Sequence, residues 1–298
     1  MCTDLALHQC AETHAVPRAA SRAVPASSAR QGEDGLNRRT ALFGAAGLAA
    51  TTAFTSFPSP AAAAPAKPPR RHGKADLSYV LGENFPAYTQ GEEAVRKPGT
   101  NIAANGYYRQ RWELFEHTGT HVDAPSHFNA NGRYVTELKL EELMMVPAVV
   151  IDITARAKRN PDAEVTVKDL RRHELRHGRI ENRAAVLMSS GWGAKVSDAD
   201  AYRGTDAEGL HFPGFSADAT EWLIKRRNIC ALGVDTLSID TGNSATFAAH
   251  KILNGAERYG IENLANLHLL PPMGAHIVVG VTPFKKGSGG PARVLATW

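Results

Sequence analysis

A chain of 298 residues with 43% hydrophobic and 21% charged residues has the balance of an ordinary soluble globular protein, long enough to bury a sizeable core in one main domain. The formal net charge of +4 comes largely from arginines in the first 75 residues and a few scattered basic runs. Without a basic stripe interleaved with aromatics, it excludes nucleic acid as the partner. Three cysteines, two of them at Cys2 and Cys10, cannot build a disulfide framework, and Cys230 in the apolar run Ile229-Cys-Ala-Leu reads as a small buried residue.

In chain order, Asn37-Arg38-Arg39-Thr40-Ala-Leu-Phe43 precedes an uncharged Ala/Gly/Thr-rich run to Phe57 and then Pro-Ser-Pro-Ala-Ala-Ala-Ala. That is the layout of a twin-arginine export signal over residues 1–64 with a long n-region, to be cleaved near Ala63 or Ala64. The run is too short and too weakly apolar to serve as a stable membrane anchor, so the expected location is secreted or periplasmic. A Pro- and Arg-rich linker at 65–75 leads to a folded domain at 76–298. There, 107–116 reads as a strand and 146–154 as a buried strand. Thr166-Val-Lys-Asp169 has the form of a capping box opening a helix that Gly178 ends. Residues 183–189 form another buried strand, Ser216 caps a helix to Arg227, and 229–235 is the strand that follows. A helix over 246–254 is punctuated by Gly255, and strands at 275–281 and 293–297 are joined through the turn-rich Gly287-Ser-Gly-Gly-Pro291. The tally predicts an α/β domain with helices flanking a strand-rich mixed sheet.

The densest chemistry lies in His117-Thr-Gly-Thr-His121-Val-Asp123-Ala-Pro-Ser-His127-Phe128. His117, His121, Asp123 and His127 share one parity, which puts them on one face of an extended chain and suggests a metal site. Imidazole and carboxylate together suit a borderline dication such as Zn²⁺ or Mn²⁺. Fully extended, the Cα atoms of His117 and His121 would stand about 13 Å apart, near the limit for two imidazoles on one ion, and Gly119 permits the bend that shortens this. Gly119, the β-branched neighbours and Pro125 all oppose a helix, so the run is expected to be a bent strand or a strand end.

His173-Glu174-Leu-Arg-His177 matches the H-E-x-x-H zincin pattern, but Arg171, Arg172, Arg176 and Arg179 crowd it with positive charge and Gly178 stops the helix. It is read as a solvated basic helix. Further ligands are needed for the first motif, and the residues by themselves do not rank His250 and Glu262 above Asp235, Asp240, Glu257 or His268.

The run H-T-G-T-H-V-D-A-P-S-H-F resembles the signature of the metal-dependent cyclase family, whose members include bacterial kynurenine formamidase and isatin hydrolase. The resemblance extends over about residues 76–298, through Ser190-Gly-Trp192-Gly, Gly233-Val-Asp235-Thr-Leu-Ser-Ile-Asp240, His250 and Glu262-Asn-Leu-Ala-Asn-Leu267, and Gly287-Ser-Gly-Gly-Pro291. It implies a swivelling β/β/α domain, a homodimer, and one or two divalent ions held by His117, His121, Asp123, His250 and Glu262. In the same comparison His127 matches the general acid/base. The implied activity is hydrolysis of a small-molecule amide, cyclic amide, lactone or ester by metal-activated water. Phe128 and Trp192 are expected as apolar walls for a flat substrate. Export favours an isatin-like, lactone or secondary-metabolite substrate over N-formylkynurenine, and the intact His127 argues against a binding protein without turnover.

Overall fold

The computed structural model describes residues 72–298. The twin-arginine segment and most of the linker lie outside these residues. Among the described residues twelve strands run β1 (Lys74–Asp76), β2 (Val95–Thr100), β3 (Arg109–Glu113), β4 (His121–Asp123), β5 (Val146–Asp152), β6 (Glu164–Val165), β7 (Ala185–Ser189), β8 (Gly214–Phe215), β9 (Ala231–Val234), β10 (Tyr259–Glu262), β11 (Ala275–Val281) and β12 (Gly289–Thr297). Eight of them form one sheet in the order β1-β12-β11-β5-β7-β9-β10-β4, and β12 also pairs with β4, so the sheet closes on itself like a barrel. Pairing is parallel from β5 through β7 and β9 to β10 and antiparallel elsewhere in this sheet. The mixed, strand-rich α/β class expected from the sequence is the one observed.

Closure depends on a stretch read as turn. Gly289, Gly290 and Pro291 pair with Asp123, Val122 and His121, while the rest of β12 pairs with β11 and β1. β1 begins at Lys74, two residues ahead of the expected domain start, because Gly73 and Trp298 exchange backbone hydrogen bonds of 2.7 and 3.0 Å that extend its pairing. β10 was not expected at all, since a four-residue strand with a glycine inside it carries little alternation.

Side-chain alternation sorts the two faces. Val146, Ala148, Val150, Ala185, Leu187, Ala231, Tyr259 and Ile261 point into one core with β11 and β12. Val149, Ile151, Val186, Met188, Leu232 and Val234 point the other way, onto Leu170, Ala219, Leu223, Ala249 and Leu253 of the covering helices. Two of those helices start as the sequence requires. Thr166 and Asp169 form the capping box of Val167–His177, and the Ser216 hydroxyl accepts from Ala219 N at the head of Ala217–Arg227. Burial holds the Cys230 thiol up to about 11, in keeping with a core residue. Among the described residues no helix is long and apolar enough to cross a membrane.

Candidate active site

The site sits on the helix-covered side of β4 and β10. In β4, Val122 faces the inner core, so His121 and Asp123 face outward together. In β10, Ile261 faces inward and Glu262 outward, and the antiparallel register sets Glu262 directly opposite His121. His117 lies before the strand. Between the two histidines the chain turns at Gly119, whose φ of +67° favours a residue without a side chain. The expected single row is therefore shorter than its parity suggested: only His121 and Asp123 share a strand face, and His127 ends a 3₁₀ turn begun by Pro125. His250 arrives from the helix Ala248–Gly255.

Each of two imidazoles has one nitrogen fixed outward. Nδ1–H of His121 donates to the Gly119 carbonyl at 2.8 Å, and Nδ1–H of His250 donates to Asp240 at 2.7 Å. Their Nε2 atoms are thereby turned inward. His121 Nε2 lies 3.2 Å from Asp123 Oδ1 and 3.4 Å from Glu262 Oε2, and His250 Nε2 lies 3.1 Å from Glu262 Oε1 and 3.5 Å from Asp123 Oδ2. His117 reaches the same carboxylate, its Nδ1 2.7 Å from Asp123 Oδ1. Ligands bonded at roughly 2.1 Å to one ion stand about 3.0–3.4 Å from each other, so the spacing suits a cation. His121 Nε2 and Asp123 Oδ2 are also buried with no hydrogen-bond partner, an arrangement that costs about 1–3 kcal/mol per group unless something else satisfies them. Two triads of metal-capable atoms share Asp123: His121, Asp123 and Glu262, and His117, Asp123 and His127. The residues present fit a divalent metal.

Electrostatics agree. Burial works against charge on His121, but the adjacent Asp123 carboxylate outweighs it and raises the imidazole to about 9. Burial and the charge on Asp123 push Glu262 up, while Asp123 itself, despite burial, is held well below its usual range by the charge on His121 and by the contact with His117. The strand face thus carries negative charge that draws in whatever positive group is at hand. His127 behaves oppositely: burial drives it down to about 4, so it is neutral at neutral pH. Its ring stacks on His117 with centroids 3.9 Å apart and meets Phe128 edge-on at 4.7 Å.

These groups open into a cavity of about 330 Å³ walled by Phe115, Phe128, Phe247, Tyr88 and Leu237. Residues 75–241 match the family model described as putative cyclase.

The chain belongs to the putative cyclase family.

The isatin hydrolase of Roseibium aggregatum is 29% identical to this cyclase-family chain over 237 residues, spanning 74% of this chain and 90% of that protein. The kynurenine formamidase of Bacillus mycoides is 27% identical over 153 residues, or 51% of this chain and 61% of that one. Isatin hydrolase A from Ralstonia solanacearum has a solved structure that superposes with a TM-score of 0.72 at 35% identity, covering 76% of this chain and 92% of that chain.

Within the cyclase domain, other sequence candidates go elsewhere. Trp192, expected as a second wall, lies outside the cavity. It packs with Tyr202, Phe212 and Leu237, and its Nε1–H donates to the Tyr202 carbonyl at 2.6 Å, so it backs Leu237 rather than facing substrate. The H-E-x-x-H pattern is on a helix as expected, but its glutamate is occupied: Glu174 accepts from Arg227 Nη2 at 2.6 Å and from Ile180 N at 2.9 Å. The helix is not evenly solvated, since His173 is buried, whereas Leu175 is exposed. Of the residues that the sequence left level with His250 and Glu262, Asp235 caps Ser190 and Gly191, Glu257 binds Arg133, and His268 is exposed. Asp240 orients His250. That role went unread because an acidic residue ten positions ahead of a histidine leaves no local signal.

Proposed function

We propose that this chain is an exported metal-dependent hydrolase that cleaves an amide, cyclic amide or ester bond in a flat, small-molecule substrate. The observation that carries the reading is the convergence of the His121 and His250 Nε2 atoms on the Asp123 and Glu262 carboxylates, with neutral His127 stacked alongside. His117, His121, Asp123, His250 and Glu262 would hold a divalent ion, Zn²⁺ or Mn²⁺ by the chemistry of the set, which would supply Lewis-acid polarisation and lower the pKa of water at neutral pH. The residues supply the rest. The Nδ1–H bonds to Gly119 and Asp240 make Nε2 of His121 and His250 the nitrogen that faces inward, where a bound ion would take the place of its proton. His127, unprotonated at neutral pH, takes a proton from the attacking water and returns it to the leaving nitrogen or oxygen. Phe128, Phe247 and Phe115 exclude water from a ring-shaped substrate and orient its face.

Similarity to isatin hydrolases over most of both chains favours a cyclic amide, and similarity to kynurenine formamidase makes N-formylkynurenine the alternative. Export rests on the residues around Arg38 and Arg39. A homodimer and the swivelling β/β/α type rest on family likeness, and for the dimer also on the exposed Val95, Ile102, Tyr107 and Tyr108 along the β2–β3 arm. The test is metal analysis of the purified protein with a hydrolysis screen on isatin, N-formylkynurenine and simple lactones. Bound zinc or manganese with chelator-sensitive ring opening of isatin supports the reading. Stoichiometric absence of metal after supplementation, or turnover that survives chelation, overturns it.

A further inference from the structure

His117 differs from its two partners, for it turns Nδ1 rather than Nε2 toward the carboxylates. Its Nε2 lies 3.0 Å from Ser288 Oγ. Ser288 in turn donates its hydroxyl hydrogen to Glu116 Oε2 at 2.7 Å, and its backbone N–H to the same oxygen at 2.8 Å. A carboxylate only accepts, so the single serine hydrogen is committed to Glu116 and the serine oxygen is left to accept from His117 Nε2–H. The ring proton is fixed on Nε2, and Nδ1 is the nitrogen left to face Asp123.

The serine is rigidly placed. Its carbonyl accepts from Ala124 N at 2.8 Å, and the Gly287 carbonyl accepts from Val135 N at 2.9 Å, which fastens the turn across the end of β4. A side chain at Gly289 would come within 2.6 Å of His117 Cε1, so the imidazole lies close against the start of β12. The segment that closes the barrel therefore also seats the histidine.

We propose that Glu116 and Ser288 are positioning residues that set the tautomer and the ring angle of His117 for metal binding. This rests on the metal-site reading above. Neither residue touches substrate in this scheme: their effect passes through His117, as a hydrogen-bonded carboxylate outside the ligand set orients a metal histidine.

The test compares Ser288→Ala and Glu116→Gln with the wild type by zinc and manganese affinity in chelator competition, by thermal melting of the metal-free proteins, and by ¹⁵N spectra of histidine-labelled, zinc-loaded protein. In the wild type His117 is expected to carry its proton on Nε2. Ser288→Ala should weaken the metal Kd by roughly 10–100-fold while metal-free melting moves by less than about 4 °C. Glu116→Gln should weaken it as well, because the amide can donate to Ser288 and free the serine hydrogen for His117 Nε2, moving the ring proton to Nδ1. Affinity within threefold of wild type in both variants overturns the proposal, as does an Nδ1–H signal from wild-type His117. A fall in metal-free stability as large as the loss of binding energy overturns it too, assigning the pair to turn stability. A wild type that takes up neither ion defeats the metal-site reading itself.

Discussion

Asp240→Ala tests how one buried carboxylate serves both the helix and the site. The Asp240 oxygens accept from Ala249 N at 2.8 Å, His250 N at 3.0 Å and His250 Nδ1 at 2.7 Å, so a residue outside the helix Ala248–Gly255 caps it. Losing a cap costs about 0.5–2 kcal/mol, and a buried donor left without a partner about 1–3 kcal/mol. Allowing for overlap between the two, the metal-free protein should lose roughly 3 kcal/mol. His250, released from its outward bond, should also lose its fixed Nε2 direction, weakening metal affinity by about 10–100-fold. Asp240→Asn should be milder, because the amide oxygen still accepts while its NH₂ faces a donor on one side only. Urea unfolding of chelator-treated protein reads the first effect and chelator competition the second. If Asp240→Ala costs under about 0.5 kcal/mol, or binds metal as the wild type does, Asp240 does not do this work.

His127→Ala should retain its metal and lose about 10²–10⁴-fold in kcat, measured by metal analysis beside steady-state kinetics; activity within a few fold would remove His127 as the acid/base, and lost metal would make it a ligand. Changing His173 and His177 together to Ala should leave the metal stoichiometry unchanged, and a loss of metal would revive the H-E-x-x-H pattern as a binding site. His173 predicts a pH effect of definite sign. Burial holds its folded pKa down at about 4 against an unfolded value of about 6.5, so below about 6.5 the unfolded chain binds a proton that the folded one refuses. Stability should fall as pH drops from about 6.5 toward 4, and less steeply in His173→Gln. Superimposable urea midpoints for the two proteins across that range would refute it.

Much of the fold was legible because its signals are local. Thr166 and Asp169 sit three residues apart, Ser216 heads its helix, and the apolar runs at 146–152 and 185–189 are strands buried on both faces. Barrel closure was not legible. Gly289, Gly290 and Pro291 have the composition of a turn, and only their pairing with β4, more than 160 residues away in the chain, makes them strand.

The histidine run fixed by itself the residue types, the bend at Gly119 and the shared face of His121 and Asp123, since these follow from backbone geometry over a few residues. Everything that makes the run one centre depends on distance through space. β10 sets Glu262 opposite His121, the helix Ala248–Gly255 brings His250, and Asp240 and Ser288 decide which nitrogen of an imidazole faces inward. Hydrogen bonds and Coulomb forces act over a few ångströms whatever the separation along the chain, so a sequence can supply the imidazoles and carboxylates while only tertiary packing can select and aim them.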